Sequence, residues 1–530
     1  MSDSSSTHAF ARADERAAEI NSRLVLGLDL DDKSWKEISE GTQYENKVHG
    51  RYEYCMDLIQ KLHTHIVGIK PNLAFWEGKW NNDAKRAELG MIMHDTAKYY
   101  PELVRILDVK RGDVVDTQTA WGESDLSYEP DIVTIQGHMG PVSTIEPFLK
   151  LHPDMGLIVV AASSNKDGMA SQGRYAGGIR NYQWTVLDSL AVNQEQIGFV
   201  VGGTLPEEVG QNIRAAVKEY GLKQPLFLRP GLGKQGGKPD GDPRSLWPIS
   251  SGFTNPKYLN GRTPEQAAIE WKGALNAVAP YGIKSMSEQL VDGLVENDLI
   301  WIANSADETT WRKLAAGGVS PIFFQIRDLL SFDKYEKMAA HLIAKRVKDA
   351  GLNPDGVAGV AYGALDIATV VGDCLEKPRA IFRKEGIDEE LLEKLCDRLC
   401  GERLAGNIKI SLSSFEKMLE ALQDEARKNR RNKDSLVGKI ISGKNYLVIE
   451  DVATTGKSMN KELITNIRER EGVVTDAIVL INRKQGADQL LMDNGVRLHY
   501  VITQNEAAEK IDLTHPGRPI VMKYLSENTK

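Results

Sequence analysis

Residues 107–117 read Leu-Asp-Val-Lys-Arg-Gly-Asp-Val-Val-Asp-Thr, so Asp108, Lys110 and Asp113 set three charges of alternating sign within six residues. The segment before them, Leu103-Val104-Arg105-Ile106-Leu107, reads as a buried strand. Side chains alternate faces along a strand, so Asp108 and Lys110 should project the same way. Burying such charges without partners costs several kcal/mol each; they are therefore paired or functional. Charges at the C-terminal end of an apolar strand stand where α/β proteins keep their active sites. Lys70 ends an earlier apolar run and offers a second ammonium. In such a network each group's protonation depends on the others, and the chemistry it suits is electrostatic, fixed charge beside developing charge. A second constellation lies at 446–458, Tyr-Leu-Val-Ile-Glu-Asp-Val-Ala-Thr-Thr-Gly-Lys-Ser. Here an apolar strand runs into two acids and a small, hydroxyl-rich loop opening a helix, where backbone N–H groups suit an anion.

The elements that must position these residues follow from the apolar runs. In the first half the runs are Leu24–Asp29, His65–Lys70, Leu103–Asp108, Asp131–Ile135, Leu157–Ala161, Ile197–Val201, Pro225–Arg229 and Trp247–Ser250. They are strand-length, rich in Val, Ile and Leu as doubly buried parallel strands are, and separated by helical segments. Eight strands alternating with helices predict an α/β fold, a (β/α)8 TIM barrel over residues 1–282. Polar endings repeat after the runs (Asp29, Lys70, Asp108, Ser163) and mark the barrel mouth. Residues 283–304 read as a linker. Residues 305–530 carry strand-like runs at Val357–Ala361, Ala380–Phe382, Tyr446–Glu450, Ala477–Ile481 and Val496–Val501, which predict an open, mostly parallel sheet. Residues 386–440 read as an inserted helical excursion ending in a solvated basic loop, Lys428–Lys433.

Composition bounds the rest. The chain has 530 residues, 41% hydrophobic and 26% charged, which is ordinary for a globular protein. A formal charge of −8 argues against a nucleic-acid binder. Cys55, Cys374, Cys396 and Cys400 lack zinc-site or disulfide-framework spacing, which suits a reducing compartment. The N-terminus shows no signal peptide, and no apolar run approaches the about 20 residues of a membrane span. A cytoplasmic location is expected, without nucleic-acid or membrane partners.

Asp108-x-Lys110-x-x-Asp113 with Lys70 resembles orotidine 5′-monophosphate decarboxylases. Asp29 in Gly27-Leu28-Asp29 and the loop Pro230-Gly231-Leu232-Gly233-Lys234-Gln235-Gly236-Gly237 fit the same family, over roughly residues 15–280. The resemblance implies cofactor-independent decarboxylation of orotidine 5′-monophosphate to uridine 5′-monophosphate, with Lys70, Asp108, Lys110 and Asp113 catalytic. Lys110 is then the acid that protonates C6, and Asp108 lies near the substrate carboxylate. By the same resemblance Asp29 binds a ribose hydroxyl, Ser164 contacts the base, and Gln235 and Gly236 cradle the phosphate. Asp113 and Thr117 reach into a neighbouring subunit's site, which implies a homodimer or higher homo-oligomer. One departure is plain: the family's phosphate-clamping Arg is Ser251 here, leaving Arg229 or Arg244 as candidate substitutes.

The string Glu450-Asp451-Val452-Ala453-Thr454-Thr455-Gly456-Lys457-Ser458 resembles the phosphoribosyl-pyrophosphate motif of type I phosphoribosyltransferases. Ser320-Pro321-Ile322-Phe323-Phe324, Phe382-Arg383-Lys384-Glu385 and Ile481-Asn482-Arg483 narrow the likeness to orotate phosphoribosyltransferases, over about residues 305–510. It implies that Phe323 and Phe324 flank orotate, Arg483 binds its carboxylate, and Arg383 and Lys384 meet pyrophosphate. Glu450, Asp451, Thr454, Thr455, Gly456 and Ser458 would hold phosphoribosyl pyrophosphate, with Mg²⁺ arriving on that substrate and no resident metal. Ala315 stands where the family has a Lys, and the loop after Glu385 lacks the family's further Lys and His. The whole chain resembles the bifunctional uridine 5′-monophosphate synthases of pyrimidine biosynthesis. The alternative is a decarboxylase whose C-terminal half only binds phosphoribosyl pyrophosphate or serves assembly.

Overall fold

The computed structural model describes residues 8–77, 83–165, 167–313, 318–360, 365–382, 436–511 and 513–528. Contacts divide the chain into two compact units, Met1–Arg174 with Arg180–Ser285, and Met286–Lys530 with the short segment Tyr175–Ile179.

In the first unit the strands are β1 (Leu24–Leu28), β2 (Gly68–Pro71), β3 (Val104–Arg111), β4 (Ile132–Gln136), β5 (Gly156–Ala162), β6 (Ile197–Val201), β7 (Phe227–Leu228) and β8 (Ser245–Ile249). They pair in parallel in chain order, and β8 closes on β1 to complete a barrel. Each of the eight expected runs overlaps one of them, with ends that differ by up to three residues. Every residue of β1, β5, β6 and β8 is buried, because one face lines the interior and the other lies under helices. Val25, Val104, Ile106, Ile132, Ile158, Val200, Leu228 and Leu246 fill the interior. The helix Ala9–Glu19 plugs the lower end, where Phe10 lies 2.8 Å from where a Cβ on Gly156 would stand. With that end closed, the strands' C-terminal ends are left for chemistry.

The second unit holds β9 (Gly356–Val360), β10 (Arg379–Phe382), β11 (Leu436–Val437), β12 (Tyr446–Ala453), β13 (Asp476–Asn482) and β14 (Arg497–Thr503). Their order is β11-β10-β9-β12-β13-β14, parallel except for β11 at the edge. The chain winds outward in both directions from β9 and β12, so the crevice at their C-terminal ends is the switch point where open α/β sheets bind ligands.

Two stretches differ from expectation. Residues 283–304 contain the helix Met286–Glu296 and a strand, Ile300–Ile302, that pairs with Ile322–Phe324. Met286, Leu290, Val291 and Leu294 are buried along one helix face, a spacing too brief to stand out in the sequence. At the end of 386–440, Leu436 and Val437 pair with Phe382 and Ile381 as an edge strand of two residues, too short to show any period. Residues 386–435, with the basic run Lys428–Lys433, lie outside the described residues, as do Cys396, Cys400, Arg383, Lys384 and Ala315. Among the described residues no helix is long and apolar enough to cross a membrane.

Candidate active sites

At the barrel mouth, β2 delivers Lys70 and β3 delivers Asp108 and Lys110. Asp108 Oδ2 accepts from Lys70 Nζ at 2.7 Å, and Oδ1 accepts from Lys110 Nζ at 2.5 Å. Asp108 is 7% exposed and Lys70 5%, while Lys110 reaches toward solvent. The two side chains share a face as strand alternation requires, but the backbone that carries them is not regular. β3 steps from Leu107 to Arg111 while β4 steps only from Val133 to Ile135, so β3 bulges between those points. Lys110 sits inside the bulge with φ 51°, the left-handed region. The freed N–H groups of Val109 and Lys110 both donate to Thr134 Oγ1, at 3.0 Å each, and that hydroxyl donates to Asp108 Oδ1 at 2.8 Å. Burial works against the Asp108 carboxylate, but Lys70 and Lys110 outweigh it and hold its pKa well below the usual range. Burial likewise opposes the Lys70 ammonium, and Asp108 and Asp29 more than compensate, so its pKa is raised. Asp29 follows β1 with Oδ1 3.9 Å from Lys70 Nζ, and burial pushes its pKa up.

Around this network the loop after β7 turns on Gly231, Gly233 and Gly236, with φ of 126°, 80° and 78°. Gln235 is exposed at its tip. Ser164 follows β5 so close to the next strand's end that a Cβ on Gly202 would stand 2.9 Å from its nitrogen. In the second unit β12 carries Glu450 and Asp451 toward its C-terminal end, both half-buried. Ser458 Oγ donates to Glu450 Oε1 at 3.2 Å, and Asp451 Oδ1 accepts from the Val452 N–H at 2.8 Å. The loop Thr454–Gly456 follows, with Gly456 at φ 73° against Ala487. Arg483 enters beside this loop, its N–H donating to Ala453 O at 2.9 Å.

Both regions match known families. The orotidine 5′-phosphate decarboxylase / HUMPS family model matches residues 22–248, and the phosphoribosyl transferase domain model matches residues 327–496. Orotidine 5′-phosphate decarboxylase of Dechloromonas aromatica is 32% identical over 220 residues, which span 41% of this chain and 75% of that protein. This chain belongs to the orotidine 5′-phosphate decarboxylase family. The decarboxylase of Haloarcula marismortui is likewise 32% identical, over 235 residues spanning 43% of this chain and 78% of that one. Among solved structures, UMP synthase of Leishmania donovani aligns over 98% of this chain and 100% of that one, with 21% identity and a TM-score of 0.44.

Within the decarboxylase unit the structure brings Asp29, Lys70, Asp108 and Lys110 together. Asp113 stays apart: its Oδ1 accepts from the Val114 N–H at 2.7 Å, and among the described residues it forms no ion pair with Lys70 or Lys110. Thr117 is exposed on the helix Val115–Leu126. The Gly236 N–H, expected to face phosphate, instead closes its own loop on Gly233 O at 2.9 Å. Neither candidate clamp reaches the mouth. Arg244 precedes β8 and binds Asp14 at 2.6 Å, at the barrel's lower end. Arg229 follows Leu228, which faces the interior, so it points outward, pairs with Asp240 and lies against Gly210 of the outer helix. In the transferase domain Phe323 and Phe324 take opposite faces of their strand. Phe323 lies near Arg312, with Trp301 opposite, and Phe324 near Arg483, so one planar ring cannot sit between them. Arg483 is 4% exposed and turns toward Gln504 and Ser320 at 3.2 and 3.3 Å. The residue that sequence reasoning missed is Thr134, whose signal is one hydroxyl inside the apolar run Ile132–Ile135.

Proposed function

We propose that the chain carries out two consecutive reactions: orotate with phosphoribosyl pyrophosphate gives orotidine 5′-monophosphate and pyrophosphate in residues 305–530, and residues 1–282 decarboxylate that product. The observation that carries the reading is the buried Asp108 carboxylate held between Lys70 and Lys110 at a barrel mouth. In the decarboxylation the bond from C6 to the carboxyl carbon breaks, its electron pair stays on C6, carbon dioxide leaves, and Lys110 delivers a proton to C6. Preorganised charge supplies the stabilisation, and no electron-sink cofactor is invoked. Asp29 after β1, Ser164 after β5 and Gln235 in the loop after β7 all follow strand C-terminal ends, which supports roles toward the nucleotide's ribose, base and phosphate.

In the second unit Glu450 and Asp451 suit ribose hydroxyls, and the loop Thr454–Ser458 suits the 5′-phosphate. Among the described residues no group of three carboxylate, His or Cys side chains converges as a metal site. Two carboxylates fit a Mg²⁺ ion that comes with the diphosphate and keeps part of its water shell. We further place the protein in the cytoplasm as a homodimer. The test is a paired assay on the purified full-length chain. Orotidylate consumption is followed in one reaction, and orotate consumption with phosphoribosyl pyrophosphate and Mg²⁺ in the other. Both proceed under this reading. Consumption of orotidylate alone would reduce the second unit to a binding or assembly module, and consumption of neither would overturn the assignment.

A further inference from the structure

Thr134 lies fully buried on β4 between apolar neighbours. A buried hydroxyl without partners costs on the order of 1–3 kcal/mol, so its surroundings show what it is for. A hydroxyl has one proton to give and two lone pairs to offer. Thr134 Oγ1 accepts from both Val109 N and Lys110 N, at 3.0 Å each. With both lone pairs engaged, its proton is committed to Asp108 Oδ1 at 2.8 Å. One oxygen thus holds the bulged backbone and the carboxylate that the bulge presents.

The backbone it holds is a costly one. Lys110 at φ 51° carries a Cβ into the left-handed region, about 1 kcal/mol or more above an ordinary conformation, and such a residue stays there only if its surroundings fix it. A regular β3 would also put Asp108 and Lys110 on one face, so what the bulge decides is the path and height of the backbone from which Lys110 reaches Asp108. Asp108 in turn receives three donors, Thr134 and Lys110 on Oδ1 and Lys70 on Oδ2, which leaves its plane no freedom to rotate.

We infer that Thr134 is the positioning residue of the decarboxylase unit: its hydroxyl fixes the β3 bulge and thereby the placement of Lys110 on Asp108. The inference rests on the reading of this mouth as the decarboxylation site. Thr134 touches no reacting atom, so its effect falls on turnover rather than on nucleotide binding.

The experiment compares Thr134→Ser, which keeps the hydroxyl, with Thr134→Ala, which differs from it by that oxygen alone. Thr134→Val adds an isosteric check where it folds. Turnover of orotidylate, affinity for uridine 5′-monophosphate and a crystal structure are measured for wild type and each variant. Misplacing a catalytic group by about 1 Å costs roughly 100-fold in rate. Thr134→Ala therefore loses about 100-fold in kcat relative to Thr134→Ser, with product affinity within about threefold. In its crystal structure Lys110 Nζ leaves hydrogen-bond distance of Asp108, whereas Thr134→Ser retains the contact. Equal kcat in the Ser and Ala variants, or an unchanged Lys110–Asp108 contact in the Ala variant, overturns the inference. If wild type itself fails to consume orotidylate, the functional reading falls, and the crystallographic comparison alone decides the role of Thr134.

Discussion

Asp108 is the residue on which the mouth turns, because both lysines take their position from its two oxygens. Replacing Lys110 with Ala removes the proton donor and one charge while leaving the buried Lys70–Asp108 pair in place. Decarboxylation should fall by roughly 10³-fold or more, with circular dichroism and melting unchanged; near-wild-type turnover would contradict the assignment. The pH behaviour of the buried pair follows from the signs of its shifts. Asp108 is held below the usual carboxylate range, so its contribution to stability is present above about pH 4 and is lost only as pH falls through its lowered value. Lys70 is raised, so its contribution is present below the ordinary lysine value, about 10.4, and is lost only as pH climbs through a still higher one. Between about pH 5 and pH 9 the pair keeps both charges. A pH profile of kcat/KM should therefore show no limb from it in that window. An acid limb near pH 6 that moves in Asp108→Asn would refute this.

At the scale of elements, Asp242 ties the lower part of the barrel together. Its carboxylate accepts from Arg214 of the helix Glu207–Glu219 at 2.9 and 3.0 Å, from Ser245 at the start of β8 at 2.7 Å, and from Tyr281 at 2.7 Å. Burial opposes the charge, but Arg214 and these hydrogen bonds lower its pKa to about 2. Its stabilisation is present above about pH 4 and is lost as pH falls toward that lowered value. Asp242→Asn leaves the Arg214 guanidinium buried without its counterion, and a loss of about 3–5 kcal/mol in denaturant unfolding is expected; less than about 1 kcal/mol would show that the hub is not structural. In the second unit Glu450 and Asp451, near the end of β12, are half-buried. Asp451→Ala should weaken phosphoribosyl-pyrophosphate binding by about tenfold or more, read by calorimetric titration; unchanged affinity would remove the site from β12. The sequence made the strands legible because doubly buried strands must be runs of Val, Ile and Leu, and it placed Asp108 and Lys110 at a strand end for the same reason. The bulge in β3 was not legible, since it depends on one hydroxyl from a strand more than 20 residues later. Nor was the outward turn of Arg229, which follows from which face of β7 Leu228 takes. The Asp242 hub joins residues 214, 245 and 281, and no local pattern announces it.

At the scale of the whole molecule, one chain leaves the charge network without Asp113. That carboxylate engages its own loop, and beside it Val114, Val115 and Trp121 are 54%, 49% and 39% exposed. Apolar side chains gathered next to a mouth, with an acid turned away from its own network, fit a surface covered by a second copy. In such a dimer each site takes Lys110 from one subunit and Asp113 from the other. A mixture of Lys110→Ala and Asp113→Ala chains then tests the arrangement by arithmetic. A mixed dimer has one site lacking both residues and one site with both intact. Equal amounts of the two chains, reassorted at random, make half of the dimers mixed, so about a quarter of wild-type activity should return although each variant alone is nearly inactive. Activity that stays at the level of the separate variants, with mixed dimers verified by tagged co-purification, would show that each mouth works with the residues of a single chain and that Asp113 belongs to the fold of its own loop.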